Sequence, residues 1–202
     1  MNNIRVINNC IKAYLIGPME KVKANDSGRG WRDKLRPELE SLIDAEGNPV
    51  YVFDPTKEEQ NKVGMETKMF HKKIIGWITA GNNDKVAEGT NLIWHGKSYL
   101  EKREDESGEE KLIHIMGDVD YVLNSNFLIM RMEEGDQPCG TYMEAGMALE
   151  HGIPIYVIQT MPRDKYPVSF VGAVFATKGG FFDNPTQLIE FLQTTYKLKV
   201  KK

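Results

Sequence analysis

Cysteine is scarce in this chain: Cys10 and Cys139 are its only two in 202 residues, too few for the disulfide framework of a small secreted domain. Histidine is nearly as sparse. The four residues His71, His95, His114 and His151 never come in a His-x-x-x-His arrangement and share no zinc-type spacing with the cysteines, so no metal site is expected. No apolar run reaches membrane-spanning length, and the N-terminus lacks the apolar h-region of a signal peptide. An excess of positive charge is also missing. Twenty-six Lys and Arg stand against 29 Asp and Glu, a net charge of -3, which argues against sequence-independent binding of a nucleic-acid polymer. These absences together predict a reduced, cytoplasmic protein without a membrane or nucleic-acid partner. A nucleotide monomer remains admissible, because it needs only one or two cations and some backbone donors.

What is present is the composition of an ordinary globular domain, 41% hydrophobic and 27% charged, in a chain long enough to bury a substantial core. Residues 12–16 (KAYLI) form a short apolar run stopped by Gly17-Pro18, which reads as a buried strand. A polar glycine-bearing loop, 25–30, precedes Trp31, Leu35, Leu39, Leu42 and Ile43 at helical spacing. A second strand is expected at 50–53 before Asp54-Pro55, so the opening reads strand, helix, strand: a parallel pair with a crossover. Further expectations are a helix over 57–80, a solvated excursion at 82–111, and an amphipathic helix from Leu112 to Leu123. Strands follow at 127–130 and 155–158, with a short one at 179–182. Helices are expected at 141–150 and after Asn184-Pro185, an N-cap followed by proline. The sum is one α/β, Rossmann-like (flavodoxin-like) domain over 1–202, with a mostly parallel five-stranded sheet flanked by helices and an insertion at about 82–111.

In such sheets ligands sit beyond the carboxyl ends of the strands, which singles out three loops. At the third, Gly140-Thr141-Tyr142-Met143-Glu144 enters a helix. Thr-x-x-Glu is a capping box in its own right, with Thr141 as N-cap and Glu144 as its N3 partner. The same geometry would hold an ionised carboxylate in the first helical turn, facing the crevice, which is what a glycosyl transfer through a covalent intermediate requires. Asp118, in Gly117-Asp118-Val119-Asp120, is either solvated helix charge or an acid for a departing nucleobase. Tyr14 is either a core residue or the hydroxyl that orients the carboxylate. Arg29, Gly30 and Arg32 are either surface loop or a cradle for a 5′-phosphate. Cys139 has no sequence-placed His partner and reads as a small loop residue.

Taken in order, Ala13-Tyr14-Leu15-Ile16-Gly17-Pro18, Val52-Phe53-Asp54-Pro55, Asp118, Asn126-Phe127-Leu128-Ile129 and Gly140-Thr141-Tyr142-Met143-Glu144-Ala145-Gly146-Met147-Ala148 resemble the nucleoside 2-deoxyribosyltransferase family, including its 5′-monophosphate N-glycosidase relatives. The resemblance implies Glu144 as nucleophile, Tyr14 orienting it and Asp118 helping the base depart. It further implies substrate contacts from Gly17, Pro18, Arg29, Gly30, Arg32, Asp54, Gly140 and Thr141, with no cofactor and no metal. It also implies a homodimer or higher homo-oligomer, because family sites are often completed across a subunit boundary. The chain departs from the family at Asn126, where the family carries an acid. It departs again at Pro138, six residues before the nucleophile, where transferases carry an acid and monophosphate hydrolases a serine. Residues 57–111 match nothing in the family. The reading is therefore an enzyme that cleaves or exchanges the N-glycosidic bond of a (deoxy)nucleoside or its 5′-monophosphate. The alternative is a non-catalytic nucleotide-binding or sensing module of the same fold.

Overall fold

The computed structural model describes residues 10–19, 28–57, 67–102 and 110–201. In chain order the elements begin with β1 (Lys12–Ile16), α1 (Arg29–Glu40), β2 (Leu42–Ile43) and β3 (Tyr51–Phe53). Next come α2 (Thr67–Thr79), α3 (Asn83–His95), β4 (Lys97–Lys102), β5 (Glu110–Ile115) and α4 (Asp118–Leu123). The remainder is β6 (Phe127–Met130), α5 (Cys139–Glu150), β7 (Ile155–Ile158), α6 (Val168–Ala176), β8 (Gly180–Phe182), α7 (Pro185–Tyr196) and β9 (Lys199–Val200). The chain divides into two compact units, one of Met1–Asn9 with Glu59–Asp120, the other of Cys10–Glu58 with Tyr121–Lys202.

The second unit is the α/β one. Its five-stranded sheet runs β3-β1-β6-β7-β8, every neighbouring pair parallel. Counted in sequence within the sheet, that order is 2-1-3-4-5, the flavodoxin-like order, and it reverses between β1 and β6. All four residues of β6 and of β7 are buried, which is why these strands read as unbroken apolar runs rather than alternating ones. Along β1 the faces separate. Ala13 and Leu15 join Leu35 and Leu39 of α1 and Leu188 and Leu192 of α7 in one apolar cluster. Tyr14, between them, turns to the opposite face.

The strands expected at 127–130 and 155–158 are found at those limits, and the last begins one residue late, at Gly180. The start of α7 is also as the sequence reads. Asn184 Oδ1 accepts the N–H of Gln187, and Pro185 sits at the first helical position, where its missing donor costs nothing.

The first unit differs most from expectation. Leu112 to Leu123 is not one helix. It is the strand β5, a break at Met116-Gly117, and then the short α4. β5 pairs antiparallel with β4, Ser98 opposite His114 and Tyr99 opposite Ile113, so pairing to a partner strand overrides a pattern that fits a helix about as well. Within the excursion expected at 82–111 lies α3, capped by Asn82, whose side chain accepts the N–H of Lys85. The tip of the excursion falls in 103–109, outside the described residues.

The core predicts its own test. Truncating Ile129, which is fully buried in the α1/α7 cluster, to alanine should cost about 2–5 kcal/mol in urea unfolding. Leu123→Ala, at a side chain 45% exposed, should stay within about 0.5 kcal/mol.

Candidate active site

β1 ends at the reversal of strand order, and its Tyr14 is wholly buried. On the same face, α5 follows β6 and brings Glu144 over the sheet. The Tyr14 hydroxyl donates to Glu144 Oε1 at 2.5 Å, a buried contact between residues 130 apart in sequence. That length belongs to a charge-assisted O–H···O⁻ bond. Tyr14 is fixed from its other side by Tyr121, whose ring centroid lies 5.5 Å away and which also packs on Phe53 at 4.9 Å. The carboxylate is only 7% exposed, so its position is set by the hydroxyl and the sheet rather than by solvent.

The local reason for Glu144's place differs from the capping box. α5 starts at Cys139 with Pro138 as N-cap, and no side chain caps it. Glu144 is thus the sixth helical residue, beyond the first turn where the helix dipole acts most strongly. Thr141 is the third helical residue and is buried. Gly140 is exposed on the first turn, and a Cβ there would touch nothing within 4 Å. Tyr142 donates to Met132 Sδ at 3.6 Å. Burial raises its phenol above the usual value, with Tyr166 and Cys139 adding to the shift, so it remains a donor at neutral pH.

The loop after β1 is shaped by Arg32. Its guanidinium is fully buried and donates from Nε to Leu15 O at 3.2 Å, from Nη1 to Gly28 O at 2.7 Å and from Nη2 to Gly17 O at 2.9 Å. A residue expected to meet a ligand phosphate therefore serves three backbone carbonyls and closes the loop onto the strand. The two glycines it grips have no room for a side chain. A Cβ on Gly17 would lie 2.7 Å from Arg131 O, and one on Gly28 2.4 Å from Pro18 O. Gly28 also has φ 70°, the left-handed conformation that glycine adopts at least cost. Pro18 is buried, while Arg29 and Gly30 are half-buried in the first turn of α1. The rest of the expected phosphate loop, 20–27, lies outside the described residues.

Asp54 follows β3 and is fully buried. Its Oδ1 accepts the Thr56 N–H at 3.0 Å and the Thr56 hydroxyl at 2.7 Å. Its Oδ2 has no hydrogen-bond partner among the described residues, an unusual state for a buried acceptor. On the α1/α7 side of the same sheet edge lies a cleft of about 210 Å³, lined by Trp31, Lys34, Arg131, Thr160 and Asp183 among others. Asp118 belongs to the other unit. It opens α4, rather than standing in mid-helix, and is 6% exposed.

The structure thus brings Tyr14 and Glu144 into contact and places Gly17, Pro18, Arg29, Gly30, Arg32, Asp54, Gly140 and Thr141 in the same unit. Sequence reasoning missed Tyr121 and Thr56 as supports, and no local signal marks either. Among the described residues no group of three His, Cys, Asp or Glu side chains is placed to hold a metal ion. No helix is long and apolar enough to cross a membrane.

Two substitutions test this framework. Arg32→Met strands three buried carbonyls and should cost about 3 kcal/mol or more, whereas an unchanged urea midpoint would show that the loop does not depend on the guanidinium. Tyr14→Phe leaves a buried carboxylate short of one donor and should cost about 1–3 kcal/mol by the same measurement.

No family model and no curated protein matches the chain. Among solved structures, the chain is similar to a conserved protein from Enterococcus faecalis V583, with a TM-score of 0.52 over 92% of this chain and 99% of that one, at 14% identity. That likeness shows the shared α/β fold, a Rossmann-like domain with a parallel five-stranded sheet.

Proposed function

We propose that this protein cleaves or exchanges the N-glycosidic bond of a nucleoside or nucleoside 5′-monophosphate, with Glu144 as nucleophile. One observation carries the reading: a carboxylate 7% exposed, held at 2.5 Å by a buried tyrosine hydroxyl, at the strand-order reversal of a parallel sheet. Burying a carboxylate is costly, and an apolar side chain would join α5 to β1 at less cost. A carboxylate held in place by a buried hydroxyl, by contrast, suits attack on an anomeric carbon.

In the first step a Glu144 carboxylate oxygen bonds to the anomeric carbon as the carbon–nitrogen bond breaks. The electron pair leaves with the base, which takes up a proton from solvent. The transition state carries positive charge on the sugar, and the Glu144 carboxylate stabilises it. Tyr14 holds the Glu144 carboxylate in place through its hydrogen bond to Oε1. In the second step water, or the nitrogen of another base, bonds to the anomeric carbon as its bond to Glu144 breaks, and the attacking group loses its proton to solvent, which restores the free carboxylate. Water gives hydrolysis and a base gives transfer. The half-buried Arg29, which has no ion-pair partner among the described residues, is the guanidinium of this loop left to meet a 5′-phosphate, since Arg32 serves the backbone.

The test uses deoxynucleosides and their monophosphates, with and without an added free base, and follows base release and exchange. Glu144→Gln, which can still accept the Tyr14 hydrogen bond, should keep the fold and lose at least about 10³-fold in turnover. Mass spectrometry of quenched wild-type reactions should find the sugar on Glu144. A fully active Glu144→Gln protein would sink the mechanism.

A further inference from the structure

We propose that Ser98, His114 and Asp120 form a second catalytic centre, which cleaves carboxylic esters of phenols through an acyl-Ser98 intermediate. All three residues belong to the first unit, and none has a part in the N-glycosidic reaction above. Ser98 and His114 face each other across the β4–β5 ladder, and Ser98 Oγ lies 2.9 Å from His114 Nδ1. The other ring nitrogen, Nε2, lies 2.8 Å from Asp120 Oδ2. Nucleophile, base and orienting acid are thus linked in order, each within hydrogen-bond reach of the next.

The hydrogen bonds run in the direction that nucleophilic catalysis needs. Asp120 Oδ2 also accepts the N–H of Gly117, at 2.9 Å, so it acts as an acceptor. The neutral ring then carries its proton on Nε2 and donates it to Asp120, which leaves Nδ1 to accept from Ser98, a tautomer assigned from the network. The chemistry asks for one bare nitrogen at the hydroxyl and one N–H held by an acceptor, and here Nδ1 and Nε2 fill those roles in exchanged positions. Gly117 has nowhere to move. A Cβ built on it would lie 2.3 Å from Trp94 O and 2.4 Å from Gly96 N, so the backbone that anchors Asp120 rests against the end of α3.

The site is open to a substrate. Ser98 is exposed, and the His114 and Asp120 side chains are 30% and 32% exposed. Hydrogen bonds this accessible to water add little to stability, whereas the same access lets an ester carbonyl reach Ser98 Oγ. Leu112, 45% exposed, lies two residues before His114 on the same face of the strand and offers apolar surface to an aryl group. A phenol leaves as a stabilised anion, which lowers the demand for oxyanion donors.

In the first step Ser98 Oγ bonds to the acyl carbon as its proton passes to His114 Nδ1 and the carbonyl electron pair moves onto oxygen. That pair returns as the bond to the phenol oxygen breaks, and the departing phenolate takes the proton from Nδ1. Water then bonds to the acyl carbon and gives a proton to Nδ1. Ser98 Oγ leaves with that proton, and the carboxylic acid is released. Ser98 and His114 are the catalytic residues, and Asp120 is a positioning residue that sets the ring.

The test uses the full chain with 4-nitrophenyl acetate and, separately, with a fluorophosphonate. Peptide mass spectrometry should find the phosphonyl group on Ser98, and an acetyl group on Ser98 in quenched ester reactions. Ser98→Ala and His114→Ala should each lower kcat/KM at least about tenfold, and Asp120→Asn should lower kcat at least about tenfold with KM within about threefold. Ser98→Ala removes an exposed hydroxyl and should leave the urea midpoint unchanged, which separates loss of chemistry from loss of fold. Wild-type protein inert toward the ester, a phosphonyl group found elsewhere or nowhere, or a Ser98→Ala protein with the wild-type rate each overturns the proposal.

Discussion

A carboxylate kept almost wholly out of water has to be satisfied by its surroundings, and here the hydroxyl of Tyr14 satisfies Glu144 at 2.5 Å. The bond joins the middle of the sheet to the helix that follows β6. It fixes which way Tyr14 faces and how α5 lies over β1. Because Tyr14 takes that face, Ala13 and Leu15 take the other and build the cluster with α1 and α7. The two sides of the sheet thus have different characters. One is an apolar core and the other carries a polar pair, with Tyr121 and Phe53 packed around it.

Arg32 imposes a second constraint on the same edge. A fully buried guanidinium is tolerable only when its donors are used, and the carbonyls of Leu15, Gly17 and Gly28 use them. The result is a loop drawn tightly to the end of β1, with glycine required where the backbones meet. Cation and carboxylate are both buried at the carboxyl edge, yet each is answered locally: the arginine by backbone oxygens, the glutamate by a phenol.

The second unit concentrates its order in the strand ladder, whereas the described part of the first holds a hairpin and two 13-residue helices. Directed contacts among its described residues include the Ser98–His114–Asp120 chain, the cap at Asn82, and the close approach of Gly117 to the end of α3.

The sequence by itself determined the α/β class and the central strands, because strands buried on both faces need continuous apolar runs and Gly-Pro, Asp-Pro and Asn-Pro pairs punctuate them. It also made Glu144 and Tyr14 legible as candidates through the order of their motifs. It did not reveal the two-unit division, the strand at residues 112–115 or α6, although a hairpin within the 82–111 excursion was among its readings. Residues 112–115 suit a helix face or a paired strand equally, and only the partner strand decides. Thr141 illustrates the same limit. Thr-x-x-Glu spells a cap, but the helix begins two residues earlier, at Cys139, and places Glu144 beyond the first turn. The direction of a long side chain was likewise undetermined: Arg32 reads as a loop cation until three carbonyls, gathered from β1 and the loop before α1, take its donors. Local propensity and period are written in neighbouring residues. The contact between residues 14 and 144, and the burial that gives it force, exist only once the sheet has brought the two together.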